Sequence, residues 1–540
     1  MQEILQNTLW NKENMRPEIA YANIKKRIGK EGCVAFLATF FIGLLTHFSA
    51  LLSDIPNHDG LASIYSDQNM ITSGRWFLGT ACGVSSFYSL PWLIGILAIV
   101  YLGIASILLV KLLEVKDSFS VIIISGMLVT FPSLASNFAY VFTMDGYMLG
   151  VLLAVLSVYL TGKGGFGFVF GGIALAFSMG CYQAYLPIAM LLCLYKALLV
   201  LSERDSIKAR LNKILKYLYM GLIGIGLYYV ILQVLLRIEG KALADYQGIN
   251  EMASANKAGI IATLKMTFGE FISFAFKSKI LFSNGFALAA VLVLGFSFVG
   301  AFIYKAVKEK WLKSLWTYVI VLISLILIPV FTNAILFIST EVTYHLLMKY
   351  QWVIFGILAV AFISNVINEK EDDSLDKENK FKAILSWTTA VSAFVIVFCY
   401  ILTDNIAYSN LQKKYEKTYA YCVRLADRIE QTEGYYQGIP IYMIGVVGED
   451  AFPVSDITEK VTGNIIGATG DWLLYTGENY ENFFKHYLGI TFNFLRPTDT
   501  VYYYEPEYVE MPSFPYPGST KVVDGVLYVK TENSDRTGTE

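Results

Sequence analysis

Eleven apolar runs, each of about 20 residues, dominate this 540-residue chain. A run of that length crosses a hydrocarbon core of ~30 Å as a helix, the form that pairs every backbone N–H and C=O without water. The runs fall at about 33–53, 91–113, 118–136, 147–161, 166–182, 185–201, 217–237, 281–304, 315–338, 350–368 and 383–403. With 55% hydrophobic and only 16% charged residues, the chain reads as an all-α polytopic membrane protein, which excludes a cytosolic enzyme and a secreted disulfide scaffold. The first run is too long for a signal peptide and follows a polar stretch of about 30 residues.

Basic residues set the expected orientation. The segment 1–32 carries Lys12, Arg16, Lys25, Lys26, Arg27 and Lys30. Alternate connections repeat this excess: Arg204, Lys208, Arg210 and Lys213, then Lys305, Lys308, Lys310 and Lys313, then Lys370, Lys377, Lys380 and Lys382. The opposite loops hold Arg75 alone in 54–90 and no basic residue in 137–146. The positive-inside rule then places the amino terminus in the cytoplasm, and an odd number of crossings places the tail outside.

The chain divides into a cytoplasmic segment 1–32, a membrane domain 33–403 with outer loops 54–90 and 238–280, and an extracytoplasmic tail 404–540. Within the loops, Ile71–Phe77 and Met266–Phe276 read as helices lying in the interface. The tail reads as a small α+β domain: a helix from Leu411 to about Thr432, a strand over Ile439–Val447, and a hairpin over Val522–Lys530 turning at Asp-Gly.

No Walker loop, GxGxxG or HExxH occurs, and four His with six scattered Cys give no metal-ligand spacing. Cys33, Cys193 and Cys399 lie in apolar runs; only Cys82, Cys181 and Cys422 could meet an oxidising exterior. The net charge of −2 argues against nucleic acid as a partner.

Four outer segments concentrate the polar chemistry. Asp54, His58, Asp59, Asp67 and Arg75 follow the first run, where turns and caps explain Asp54 and Asp67 better than Asp59. Asp145 stands alone in Tyr140–Tyr147, either as a helix cap or as a functional carboxylate at the membrane surface. Tyr182, Gln183 and Tyr185 offer hydroxyl-binding groups or an interfacial aromatic belt, with Gln183 less well explained by a belt. His345 and Lys349 begin a later helix, where a snorkelling lysine is the plain account.

The acidic cluster after the first run, Gly74-Arg-Trp76, Asp145-Gly-Tyr147 and Gly180-Cys-Tyr-Gln-Ala-Tyr185 together resemble the bacterial GtrII-type glucosyltransferases, polytopic enzymes of the GT-C class. The resemblance covers most of 33–365 and, more loosely, the tail through Lys530. It implies transfer of a hexose from a polyprenyl-phosphate donor to a cell-surface polysaccharide at the outer face of the bacterial cytoplasmic membrane, with inversion. It further implies a functional link to an enzyme that loads polyprenyl phosphate and to a small flippase. By the same resemblance Asp59 is the base and Asp145 a second acidic residue. Arg75 and Lys349 would face the donor phosphate, and His58, Trp76, Tyr182, Gln183 and His345 the sugar or acceptor. A paired Asp-Asp is expected in the first loop, where this chain has His58-Asp59; a divalent cation (Mg or Mn) on Asp59 and Asp145 is left open.

The rival readings are a transporter or flippase of lipid-linked sugar and a non-catalytic scaffold. A transporter would want inverted repeats and polar residues at mid-membrane, whereas here no repeat is evident and the polar candidates gather at one face.

Overall fold

The structure is a computed structural model; it describes residues 16–202, 206–244, 259–311, 315–339, 342–369, 376–444, 462–470, 473–474, 477–495, 508 and 510–531. Lys12, Arg204, Lys313 and Lys370 lie outside the described residues, as do 245–258 of the second long loop and 445–447 of the expected strand. Twelve main helices occur among the described residues: α1 Pro17–Leu52, α2 Pro91–Leu112, α3 Ser118–Thr130, α4 Met144–Thr161, α5 Gly167–Cys181, α6 Leu186–Ser202, α7 Ile207–Glu239, α8 Gly259–Lys277, α9 Gly285–Lys308, α10 Leu315–Thr332, α11 Val353–Ile367 and α12 Asp376–Glu430.

Helix ends follow local chemistry. Proline occupies the first turn of α1 and α2, where its missing N–H is not needed. The Asp117 carboxylate caps α3 by accepting from Ser120 N at 2.8 Å. Pro132 forces the preceding Phe131 into extended backbone, so α3 stops there and the chain bends by 47° into the helix Ser133–Ala139.

Nine described helices are long and apolar enough to cross a membrane, or ten with the bent pair counted as one, against the eleven crossings expected. Two expected spans are shorter: α5, whose 15 residues reach about 22 Å, and the apolar stretch Tyr318–Thr332 of α10. Conversely α8, expected to lie flat in the interface, is long enough to cross.

Close backbone approach holds the bundle, since apolar side chains gain little from leaving lipid for protein. A Cβ on Gly103 of α2 would stand 2.8 Å from the Phe36 ring of α1, and one on Gly224 of α7 2.7 Å from Leu175 of α5. Substitution at either position would push the helices apart.

The tail grows out of α12, whose 55 residues reach about 80 Å, far more than the ~30 Å core. Its C-terminal part therefore stands clear of the hydrocarbon and packs under a four-stranded sheet. The strands are β1 Pro440–Ile444, β2 Asn493–Phe494, β3 Thr520–Val523 and β4 Val526–Lys530, in the order β2-β1-β4-β3. β1 runs parallel to β2 and β4, and β3–β4 is an antiparallel hairpin with Asp524 and Gly525 both at positive φ. Cys422, Leu425 and Ile429 of α12 bury against Ile441, Leu527 and Val529, and Leu61 of the first loop inserts into this same core. All six cysteines are free.

Candidate active site

The first loop leaves α1 at Ser53 and is shaped by its own side chains. Asn57 caps the five-residue helix His58–Ala62, its Oδ1 accepting from Gly60 N at 2.8 Å. Asp59 stands in the first turn with its side chain 57% exposed, and His58 Nε2 lies 3.5 Å from its Oδ1. The His58 ring meets Tyr140 edge to face at 6.2 Å. Burial is the main cause that lowers the His58 pKa; the Asp59 charge opposes it and Lys414 reinforces it. Asp54 lines a narrow cleft with Asn57, Tyr88, Ser89 and Tyr487 of the tail; burial raises its pKa.

Further along, the expected interfacial helix over Ile71–Phe77 does not form. Gly74 takes a left-handed φ of 76° after a single 3-10 turn and breaks it. A Cβ on Gly74 would collide with Gln183 and Tyr228, so only glycine fits. The break turns Arg75 inward, where Nη1 donates to Tyr147 Oη at 3.2 Å and the guanidinium lies 5.0 Å over the Tyr182 ring. Tyr147 and Tyr182 stack at 4.8 Å. Gln183 Nε2 donates to Ser73 O and to Tyr228 Oη, both at 3.0 Å, which ties the loop to α7. Trp76 packs edge-on against Phe177, and Phe77 N donates to Gly180 O at 2.9 Å.

Asp145 is fully buried in the first turn of α4, where the helix N-terminus favours a carboxylate. Its Oδ1 accepts from Gly146 N at 2.8 Å and its Oδ2 from Ser85 Oγ at 2.5 Å. Lys349 belongs to a different neighbourhood: its Nζ pairs with Glu270 of α8 at 2.5 Å and lies over the Tyr344 and Phe274 rings. His345 opens the 3-10 turn Leu346–Met348 beside it, its pKa lowered by burial and by Lys349.

The structure thus brings Arg75, Trp76, Tyr182 and Gln183 together, with Asp145 two residues from Tyr147 on α4. Asp59 with His58 forms a second group, and Lys349 with His345 a third. Among the described residues Asp59 and Asp145 share no hydrogen-bond partner, and no three His, Cys, Asp or Glu side chains gather in one place.

An apolar groove of about 390 Å³ opens on the outside of the bundle between α4 and α5. Leu149, Leu153, Leu156 and Leu160 form one wall, and Phe170, Ile173 and Phe177 the other. The groove ends at Phe77, two residues from Arg75.

Sequence reasoning placed Tyr147 in a motif but gave it no role, and it missed Ser85, Glu270 and the tail residues at the first loop. A signal for the last existed: Asn410, Lys414 and Thr418 recur every four residues on α12, and all three are buried. Ser85 and Glu270 carry no such mark, because their partners are distant in sequence.

A bundle of long apolar helices joined by polar loops, with a folded tail packed on the first loop, defines a polytopic membrane protein. The family model for glucosyl transferase GtrII matches residues 48–361, more than half of the chain, and the protein belongs to the GtrII glucosyltransferase family. Comparison with curated proteins and with solved structures finds no match.

Proposed function

We propose that this glycosyltransferase moves a hexose from a polyprenyl-phosphate donor to a cell-surface polysaccharide on the outer face of the bacterial cytoplasmic membrane. The observation that carries the reading is the apolar groove between α4 and α5, whose lining includes Phe77, two residues along the chain from Arg75. An isoprenoid chain suits such walls, and a lipid phosphate at the headgroup plane suits an arginine held by two tyrosines. A free nucleotide sugar would leave the apolar groove unused. The donor's chemistry calls for an enzyme that loads polyprenyl phosphate inside and a flippase that delivers it.

In this reading the acceptor hydroxyl attacks the anomeric carbon from the face opposite the phosphate. Asp59, open to solvent where a polysaccharide can approach, takes the hydroxyl proton as the new C–O bond forms, so that sugar and acceptor bridge its group and that of Arg75. The bond from C1 to the phosphate oxygen breaks, Arg75 stabilises the departing phosphate, and the anomeric configuration inverts. Trp76 and Tyr182 face the sugar; Gln183 fixes the loop. Lys349 is held by Glu270, so phosphate binding falls to Arg75, and Asp145 orients Ser85 and the first loop.

The orientation rests on the basic-loop asymmetry. It is supported by packing of the tail against loop 54–90, through Leu61 and through Asn479 Nδ2 donating to His58 O at 2.9 Å, which sets both on one side whatever the number of crossings. Purified protein supplied with polyprenyl-phosphate glucose and isolated surface polysaccharide should release polyprenyl phosphate and glucosylate the glycan. Transfer from a nucleotide sugar alone, or movement of the lipid-linked sugar without transfer, would sink the proposal.

A further inference from the structure

The tail touches the loop that carries Asp59 at three independent points. Leu61, two residues beyond the carboxylate, is 1% exposed and belongs to the tail's core with Cys422, Leu425 and Phe483. Asn479 Nδ2 donates to the carbonyl of His58 at 2.9 Å, across 421 positions of sequence. The third contact is a strap, residues 462–470, that lies against the membrane bundle. Its Ile465 and Ala468 are buried in the bundle's own core.

The strap is fastened through backbone carbonyls. Ser136 donates to Ile466 O at 2.7 Å, Lys414 to Gly467 O at 3.3 Å, and Asn410 to Ala468 O and Gly470 O at 3.0 Å. At its centre Gly467 has φ +86°, and a Cβ there would stand 2.7 Å from the Tyr140 ring and 3.2 Å from Asn57 Nδ2. Those two residues hold the Asp59 helix: Asn57 caps it and Tyr140 packs on His58. An isolated five-residue helix has no stability of its own, so its orientation must come from outside.

We propose that the tail is a positioning element of the active site: the strap at Gly467 and the Asn479 contact fix the helix His58–Ala62 so that Asp59 is presented to the acceptor. The proposal deepens the transferase reading and rests on it. Arg75 and the lipid groove lie in other contacts, so loosening the strap should leave donor binding intact while lowering turnover.

The test uses the full-length protein in lipid nanodiscs with polyprenyl-phosphate glucose and isolated surface polysaccharide. Gly467→Ala forces a side chain into the contact at a backbone angle it resists. Asn479→Ala removes a single hydrogen bond and serves as the milder variant. Gly467→Ala should lower kcat at least tenfold with the donor KM within twofold, and Asn479→Ala by a smaller factor with the same split. In a parallel Leu61→Cys background the introduced thiol should react with maleimide at least tenfold faster once Gly467→Ala is added. A thiol that stays shielded in both variants overturns the clamp, and so does an exposed thiol with unchanged turnover. If the unaltered protein releases no polyprenyl phosphate, the transferase reading fails, and thiol exposure alone then decides whether the strap holds the helix.

Discussion

The guanidinium of Arg75 lies 5.0 Å above the ring of Tyr182, and its Nη1 donates to Tyr147 at 3.2 Å, so one cation joins the first loop to α4 and to the α5–α6 junction. Lysine can supply the charge but not the flat, forked donor that stacks and bonds at once. Arg75→Lys should raise the donor KM by roughly tenfold, the equivalent of about 1.4 kcal/mol for one weakened charged contact. Steady-state release of polyprenyl phosphate measures it; an unchanged KM would remove Arg75 from the donor site.

Asp59→Asn should abolish transfer while the protein stays folded and inserted. The side chain is 57% exposed, so the amide should change stability by no more than about 1 kcal/mol. Loss of a general base should cost roughly two to four orders of magnitude in rate. Asp67 is the better control, because its Oδ1 only caps Asn69 N in an exposed turn, whereas Asp54 lines the cleft against Tyr487. Retention of more than about a tenth of the rate, far above the expected loss, would reject Asp59 as the base.

Lys349 and Glu270 should behave as a structural pair. With Lys349 12% and Glu270 31% exposed, removing either partner strands a charge and should destabilise by about 2–4 kcal/mol. The double variant Lys349→Met with Glu270→Gln should recover much of that loss. A double-mutant cycle on the thermal midpoint reads the coupling; additivity would mean that the pair does not form.

His58 gives the first loop a pH dependence of known sign. Burial holds its pKa below the ordinary 6.5. Above 6.5 the imidazole is neutral in the folded and unfolded chain alike, and stability is unaffected. Below 6.5 the unfolded chain takes up the proton more readily, so stability falls as the pH drops. Thermal midpoints between about pH 5 and 7 should decline for the unaltered protein and flatten for His58→Asn. Parallel curves would place the titration elsewhere.

The tail should be reachable from outside the cell. Lys521 is exposed on β3, and a Lys521→Cys thiol should react with an impermeant reagent in intact cells, with the native cysteines replaced. Labelling only after lysis would reverse the orientation.

The amino-acid sequence by itself determined the helical membrane architecture, because apolar run length acts through local transfer energies that need no partner. Glycine and aspartate at the turn likewise set the β3–β4 hairpin from within two residues. The Arg75–Trp76 and Tyr182–Gln183 motifs were also legible as candidates, since polar residues in short loops between apolar runs stand out. Only the tertiary structure decided which of them meet. Gly74 in a left-handed conformation replaced the expected interfacial helix with a sharp turn, because the approach of Gln183 and Tyr228 leaves no room for a side chain. Lys349 found Glu270 on a helix that length alone had not distinguished from an interfacial one. The seating of Gly467 and Asn479 on the Asp59 helix was equally hidden, because contacts across some 400 residues depend on how whole helices pack and leave no periodic trace in either segment.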